Sequence, residues 1–175
     1  MGAKTYRLMP KMNQTTWDNY RSEAKNWQRK RDESFRKSVT AYKRRDYVTA
    51  KYYSNMRKDF QNLCDDANRT AAEAIFTWNN ENRPVNEIDL HGLYVNEALN
   101  KLADRVNYAS ERGINELAVI VGQGIHSEGE PTLKPNVILF AQQNYVPYKI
   151  NLNNPGCIYF DLTNSNENDS GLSWT

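Results

Sequence analysis

Glycine and proline are absent from a long stretch of this 175-residue chain, between Pro10 and Pro84. Apart from Gly2, every glycine lies at or after Gly92. Because both residues interrupt regular secondary structure, a stretch without either favours almost continuous helix, and the remainder favours a turn-rich α/β arrangement. The sequence therefore predicts two parts, with a boundary between residues 80 and 84.

Apolar residues of the first part recur at helical spacing on either side of the charged segment 43–46, where Asp46 is placed to cap a second helix. The stripe before this segment comprises Tyr20, Ala24, Trp27, Phe35, Val39 and Tyr42. The stripe after it comprises Ala50, Tyr53, Phe60, Cys64, Ala67, Ala71, Ile75 and Trp78. One break between two amphipathic helices predicts an antiparallel helical hairpin over residues 18–80, in which each stripe buries the other.

In the second part, short apolar strands alternate with helical stretches. We expect strands at residues 87–90, 116–121, 148–152 and 157–162, and helices over residues 95–112 and from about Pro135. The residues expected to face inward from the first of these helices are Leu99, Leu102, Val106 and Ala109. The fold class predicted is α/β, a small mixed-sheet β-α-β-α-β-β domain over residues 85–162 preceded by the long helical hairpin. We expect residues 1–17 to be a flexible N-terminal segment and residues 163–175 a disordered tail.

Charge divides the chain at the same place. Residues 18–80 carry 14 Lys and Arg against 9 Asp and Glu, whereas residues 81–175 carry 6 against 12. A formal net charge of +2 therefore conceals a basic helical part, which suits phosphates, and an acidic α/β part. The candidates for contacts with nucleic acid in the basic part are Arg29, Lys30, Arg31, Lys43, Arg44 and Arg45. An ordinary solvated helix surface is the alternative interpretation of these residues.

Composition narrows the class of protein further. The sequence contains no apolar run of the roughly 20 residues that a membrane span needs, and its start, MGAKTY, fits neither a signal peptide nor a myristoylation motif. Two cysteines, Cys64 and Cys157, and two histidines fit neither a disulfide framework nor a zinc motif. We expect a monomeric, cytoplasmic protein without a membrane partner, and a nuclear location also stays open.

Both histidines follow predicted strands, His91 in IDLHG and His126 in the loop VIVGQGIHSEG. Side chains at the carboxyl ends of neighbouring parallel strands share a crevice, and a right-handed crossover makes these two strands neighbours. Alternation along the first strand places Asp89 and His91 on the same side. A carboxylate so placed can orient the imidazole, which then takes a proton from water or from a ribose 2′-OH.

Five other interpretations stay open at this point. The glycine pair Gly122 and Gly124 fits neither GxGxxG nor GxxxxGK[ST], so a plain turn competes with a cradle for small-molecule phosphates. His91 can be a structural histidine at a strand end. A metal site of Asp89, His91 and His126 lacks a helical pair of ligands, and Ser127 lacks the GxSxG context of a nucleophile.

These motifs resemble those of a known family. The pair IDLHG and GQGIHS, separated by one helix and one strand and followed by LKPNV, resembles the Smr (small MutS-related) domain over roughly residues 85–162. The earlier segments AYKRRDYVTAKYYS and DDANRTAAEAIFTWNN look like the helical extension of unknown function that often precedes Smr domains.

The resemblance implies a nuclease. Smr domains are associated with nicking of DNA and with cleavage or binding of RNA, including messages on stalled ribosomes. The implied partners are therefore RNA, DNA and the ribosome, in mRNA surveillance. By resemblance, Asp89 and His91 are the catalytic pair. The implied nucleic-acid-binding residues are Gly122, Gln123, Gly124, His126, Ser127 and Lys134.

Two departures from the family pattern bear on activity. Val121 stands where many members have Thr, and Gln123 stands where many have Lys or Arg. Loss of that cation removes a charge-assisted phosphate contact, so an RNA- or ribosome-binding adaptor with weak or no catalysis is the alternative function. The cofactor is open too, since a 2′-OH nucleophile needs no metal whereas an attacking water can require a divalent cation.

Overall fold

The computed structural model describes residues 14–122 and 132–163 of the chain. The chain divides into two compact units, Met1–Ala71 and Ala72–Thr175. The predictions for residues 1–13 and 164–175, which cover most of the expected N-terminal segment and tail, lie outside the described residues. Among the described helices, none combines the length and apolar composition that crossing a bilayer requires.

The first unit is built from two long helices, α1 (Gln14–Lys43) and α2 (Tyr47–Asn80), and the last turns of α2, from Ala72, belong to the second unit. The connection between them is short, and Arg45 adopts a φ of 62° in it. Asp46 caps α2 as predicted, because its Oδ1 accepts the backbone N–H of Thr49 at 3.0 Å.

Contacts between α1 and α2 confirm the antiparallel hairpin. Near the open end, Arg21 Nη1 donates to the side-chain and backbone oxygens of Asn68, each at 3.1 Å. Near the turn, Ser38 Oγ donates to the backbone oxygen of Ala50 at 2.9 Å. Early residues of α1 thus meet late residues of α2, and late residues meet early ones.

The inward face of α1 differs from the predicted stripe. Phe35, Val39 and Tyr42 are 53%, 38% and 66% exposed, so the prediction that α2 buries them was wrong, although the Phe35 ring lies 5.8 Å from the Arg57 guanidinium of α2. Small or polar side chains are buried along α1 instead, namely Arg21, Ala24, Ser34 and Ala41. The spacing of two packed helices depends on the side chains between them, and small ones allow a close approach. For α2, burial is as predicted at four positions of the stripe, namely Ala50, Cys64, Ala71 and Ile75.

The second unit contains a four-stranded mixed sheet, which confirms the predicted fold class. Its elements are β1 (Glu87–Asp89), α3 (Val95–Glu111), β2 (Glu116–Ile120), α4 (Leu133–Gln143), β3 (Tyr148–Ile150) and β4 (Cys157–Asp161). The strand order is β1-β2-β4-β3, with β1 and β2 parallel and the other pairs antiparallel. β1 is therefore an edge strand, and β2 lies inside the sheet.

The core of this unit lies around β1, β2 and α3. Leu117 and Val119 of β2 have no exposed surface, which agrees with the nearly continuous apolar sequence of an interior strand, and Ile88 of β1 is equally buried. From α3 the buried residues are Ala98, Leu102, Val106 and Ala109. Leu99, which was expected to face inward, is only half-buried. The parallel register pairs Asp89 with Ile120, so the carboxyl ends of β1 and β2 lie side by side.

The last turns of α2 pack within this second unit. Ile75 is completely buried, and the Glu73 carboxylate accepts a hydrogen bond from the Lys101 ammonium of α3 at 2.6 Å. The same ammonium lies 4.9 Å from the centre of the Phe76 ring. These contacts hold the end of α2 beside α3.

Candidate active site

The site begins with a carboxylate and an imidazole at the carboxyl end of β1. Asp89 is the last residue of the strand, and alternation places His91 on the same side, as predicted. His91 Nδ1 lies 2.5 Å from Asp89 Oδ1, and the backbone N–H of His91 donates to the same oxygen at 3.1 Å. The Asp89 side chain is 2% exposed and that of His91 is 33% exposed. The carboxylate is therefore enclosed, whereas about a third of the imidazole is exposed.

A guanidinium that the sequence reading missed completes this pair. Arg83 Nη2 donates to Asp89 Oδ2 at 2.6 Å, and its Nη1 donates to Glu87 Oε2 at 3.2 Å. Arg83 Nε donates to the backbone oxygen of Asn79 at 2.9 Å, which ties the side chain back to α2. A buried carboxylate needs a countercharge, so a search for the cation nearest to Asp89 in sequence would have found Arg83.

The hydrogen bonds assign a tautomer to His91. An ionised carboxylate accepts hydrogen bonds and donates none, so the contact with Asp89 Oδ1 places the proton on Nδ1. Nε2 is then the nitrogen that can accept a proton from a substrate. The arrangement can therefore perform general base chemistry, with Asp89 orienting the ring and stabilising the imidazolium that forms.

Two asparagines at the end of α2 hold the backbone of the same segment. Asn80 Oδ1 accepts the N–H of Asp89 and Asn80 Nδ2 donates to the carbonyl of Asp89, both at 2.9 Å. Asn79 Nδ2 donates to the carbonyl of His91 at 2.8 Å. Because β1 is an edge strand, the outward backbone groups of Asp89 lack a strand partner, and the side-chain amide of Asn80 takes that place.

Gly122, after β2, lies close to the histidine. Gly122 has a φ of +74°, and a Cβ added to it would lie 3.3 Å from the Cβ of His91. The first glycine of GQGIHS and the histidine of IDLHG therefore lie near each other, as expected for neighbouring parallel strands. The other candidates in this loop, Gln123, Gly124, His126 and Ser127, lie outside the described residues.

The remaining candidate of the second unit, Lys134, lies in the first turn of α4 and is half-buried. Within the described ranges, 14–122 and 132–163, no group of three or more His, Cys, Asp or Glu side chains is arranged to hold a metal ion.

The basic residues predicted in the middle of α1 have different surroundings. Arg29 is exposed, whereas the Lys30 ammonium lies 4.2 Å from the centre of the Trp27 ring. Arg31 Nη2 lies 2.8 Å from Asp32 Oδ1, and its side chain is 25% exposed. Of these three cations, Arg29 offers its charge most openly to solvent.

The basic residues at the turn of the hairpin form a second group. Lys43, Arg44 and Arg45 are all exposed. The rings of Tyr42 and Tyr47 meet edge to face beside them with centroids 5.5 Å apart, and they are 66% and 59% exposed. We refer to these five residues as the hairpin tip.

The fold and the site together define a class of protein: a small α/β domain with an Asp–His pair at the end of its edge strand, preceded by a basic helical hairpin. The chain belongs to the Smr domain family. The Smr domain matches residues 88–156, and a domain of unknown function (DUF1771) matches residues 17–80.

Three relatives place the chain within this family. The chain is 38% identical over 135 residues to "Endonuclease NBR9" of Saccharomyces cerevisiae, covering 77% of this chain and 56% of that protein. It is 32% identical over 147 residues to "Smr domain-containing protein C11H11.03c" of Schizosaccharomyces pombe, covering 83% and 71% respectively. It is 34% identical over 146 residues to human "NEDD4-binding protein 2", covering 79% of this chain and 8% of that protein.

A solved structure also resembles part of the chain. The solution structure of the B3BP Smr domain aligns with a TM-score of 0.43 at 34% identity, covering 54% of this chain and 95% of the other.

Proposed function

We propose that this chain is an endonuclease that cleaves RNA, with nicking of DNA as a second activity. The observation that carries the proposal is the buried Asp89 carboxylate that holds a partly exposed His91 imidazole near Gly122. The name of the yeast relative, an endonuclease, supports the same reaction class. By analogy with the family, we propose that the RNA is messenger RNA at ribosomes in the cytoplasm.

The reaction proposed for RNA uses the ribose 2′-OH as nucleophile. His91 Nε2 removes the 2′-OH proton, the 2′-oxygen forms a bond to phosphorus, and the bond from phosphorus to the 5′-oxygen breaks. The departing 5′-oxygen takes a proton from water, and the hydroxide that remains takes the proton back from His91, so the products carry a 2′,3′-cyclic phosphate and a 5′-OH. A positioned general base of this kind contributes about 10²- to 10⁴-fold to a rate.

Cleavage tests this proposal directly. Wild type, Asp89→Asn and His91→Ala are incubated with single-stranded RNA, hairpin RNA and DNA, each with and without a chelator. We expect wild type to cut RNA and both variants to lose most of that activity. An RNA with one 2′-deoxyribose at the cut site should resist cleavage by the 2′-OH route, and the products of RNA cleavage should carry cyclic phosphates. Nicking of DNA, which has no 2′-OH, uses water as the nucleophile instead. Cleavage at the wild-type rate by both variants would refute the assignment of the pair.

A chelator distinguishes the two nucleophiles. If EDTA abolishes cleavage and the products carry a 3′-OH and a 5′-phosphate, water bound to a divalent cation is the nucleophile and the 2′-OH route is wrong. If cleavage survives EDTA with cyclic phosphate ends, the metal-free route holds.

Gln123 favours a second candidate function, an RNA- or ribosome-binding adaptor that cuts poorly or not at all. A neutral amide replaces a cation at a position where charge would stabilise the transition state. This candidate predicts that wild type binds RNA but leaves it intact under every condition. Gln123→Lys then restores cleavage if the missing charge is the cause.

We propose that the hairpin tip binds the nucleic acid. It combines Lys43, Arg44 and Arg45, which attract phosphates, with two exposed tyrosine rings on which bases can stack. The α/β part is acidic in sequence, so the general attraction for a polyanion comes from the basic hairpin.

Salt dependence tests this role. Replacing all three tip cations by Gln should reduce the slope of log K against log salt by about 2, since each phosphate contact to a single strand contributes about 0.7. The matched control replaces three exposed cations elsewhere on α2, Lys51, Arg57 and Lys58, by Gln. Equal changes in slope for the two triple variants would show that the tip has no special part in binding.

A further inference from the structure

We propose that Arg83 and Asn80 are positioning residues of the catalytic site, so that the end of α2 is a working part of the site. This inference deepens the proposed nuclease function and rests on it. Asn80 is the last residue matched by the domain of unknown function, and Arg83 lies between that match and the Smr match. The contacts of both residues lie within the second unit.

The two oxygens of the Asp89 carboxylate have different partners. Oδ2 accepts from Arg83 Nη2 at 2.6 Å, and Oδ1 faces His91 Nδ1 at 2.5 Å. A carboxylate with one oxygen already occupied cannot rotate without breaking a charge-assisted hydrogen bond. Arg83 therefore fixes which oxygen His91 meets and in which direction that oxygen points.

The guanidinium is itself fixed at three points. Its Nε, Nη1 and Nη2 donate to the Asn79 carbonyl, to Glu87 and to Asp89 respectively. A planar fork with several donors can satisfy three acceptors at once, whereas a lysine ammonium acts as a point charge on a flexible stem. This geometry calls for arginine at position 83.

Asn80 fixes the backbone that carries the pair. Its side-chain amide makes two hydrogen bonds to the peptide groups of Asp89, in the manner of a neighbouring strand. Asp89 is thus held at its backbone by Asn80 and at its carboxylate by Arg83. Both restraints reach His91 through the two hydrogen bonds that Asp89 Oδ1 accepts from it.

A purely structural role explains this arrangement less well. A buried ion pair is often no more stabilising than apolar residues of similar volume, so stability alone gives little reason to bury Asp89. Removing Arg83 leaves the buried carboxylate with His91 but without its cation. The His91 ring then loses its single orientation, and the two tautomers mix.

The first arm of the test reads the tautomer without using activity. Long-range ¹H–¹⁵N spectra of the imidazole rings, recorded in alkaline buffer, show which ring nitrogen carries the proton. The chain has two histidines, and the signals missing from His91→Ala identify those of His91. We expect protonated Nδ1 in wild type and a shift towards a mixture in Arg83→Met and in Asn80→Ala.

The second arm measures cleavage of the RNA that wild type cuts. Arg83→Met should lower kcat by about 10- to 100-fold with KM within about twofold, because a misplaced base slows the chemical step and leaves binding intact. Arg83→Lys keeps the countercharge and loses the fork, so it should fold and lose about tenfold in kcat.

Two control variants separate the loss of positioning from other effects of substitution. One tests for a general effect of removing an arginine, and the other tests for an effect of lower stability. Arg112→Met makes the same substitution at an arginine outside the site. Arg112 is the C-cap of α3 and precedes β2, so it is away from the carboxyl ends of the strands. Ile75→Val removes a buried methylene close to Asn80 in sequence and leaves every hydrogen bond of the site in place. Both should keep the wild-type tautomer and kcat.

The outcomes are separable. If Arg83→Met and Arg83→Lys keep the wild-type tautomer, and lose no more kcat than Ile75→Val, the positioning inference is wrong. If wild type cuts no RNA but its His91 tautomer depends on Arg83, the nuclease proposal fails while the positioning inference is supported. Loss of tautomer control and of kcat together supports both.

Discussion

Replacing Gly122 by alanine tests whether the turn after β2 and His91 are held at contact distance. Gly122 has a φ of +74°, and an added Cβ would lie 3.3 Å from the Cβ of His91. The substitution therefore has two effects, a strained backbone and a crowded histidine. Only the second effect reaches the proposed chemistry.

Gly113 separates these two effects. Its φ is +64°, and an added Cβ would meet nothing within 4 Å. Gly113→Ala should lower the free energy of unfolding by the cost of left-handed backbone, about 1–2 kcal/mol. Gly122→Ala adds a close contact in a packed region, and we expect it to lower the free energy by about 2–4 kcal/mol in total.

Urea unfolding and RNA cleavage, measured on both variants, give the comparison. Gly122→Ala should also slow cleavage at least about tenfold, because the histidine must move by a few tenths of an ångström. Gly113→Ala should cut at the wild-type rate. Gly113 precedes β2, so it lies at the amino end of this strand, whereas the site lies at the carboxyl ends of β1 and β2. Equal destabilisation and equal cleavage rates for the two variants would refute the contact between Gly122 and His91.

Three further predictions concern stability and reactivity. Ile75→Ala should lower the free energy of unfolding by about 2–5 kcal/mol in urea titrations, because Ile75 has no exposed surface; a loss below about 1 kcal/mol would contradict that burial. Hydrogen bonds from Thr49 hold the pKa of Asp46 below its usual 3.8, so the cap stabilises fully above that pH and is lost as the pH falls through the lowered pKa. Asp46→Ala should therefore melt below wild type at neutral pH by circular dichroism, with a difference that closes in acid, and a gap independent of pH would contradict the cap. Burial raises the pKa of the Cys64 and Cys157 thiols, so both should react slowly with a disulfide reagent until the chain unfolds, and rapid labelling of either thiol would argue against its burial.

The order of elements followed from local signals in the sequence. The charged break at residues 43–46, the glycine after α3 and the turn at residues 153–156 each mark an element boundary through chemistry confined to a few residues. Parallel pairing of β1 and β2 followed from the right-handed crossover rule, and it placed Asp89 and His91 beside the glycine turn.

The inward face of α1 could not be read in the same way. Periodicity assumes that large apolar residues face the partner helix, yet Ser34 and Ala41 are buried while Phe35 and Tyr42 are exposed. The choice depends on how closely α1 and α2 approach, which is a property of both helices together.

The partners of Asp89 were missed for a related reason. Arg83 and Asn80 are polar residues in a segment that reads as a helix end and a loop. Their hydrogen bonds exist because α2 ends beside the edge strand β1. The sequence did not show that Asp89 is buried. A buried carboxylate needs a countercharge, and Arg83 supplies it.

The rate at which His91→Ala cleaves RNA in a single turnover, compared with wild type at saturating protein, tests the central claim most directly. Loss of a general base predicts a rate at least about 100-fold lower, with the Kd for the same RNA within about twofold. Cleavage by His91→Ala at the wild-type rate, with the same product ends, would contradict the account.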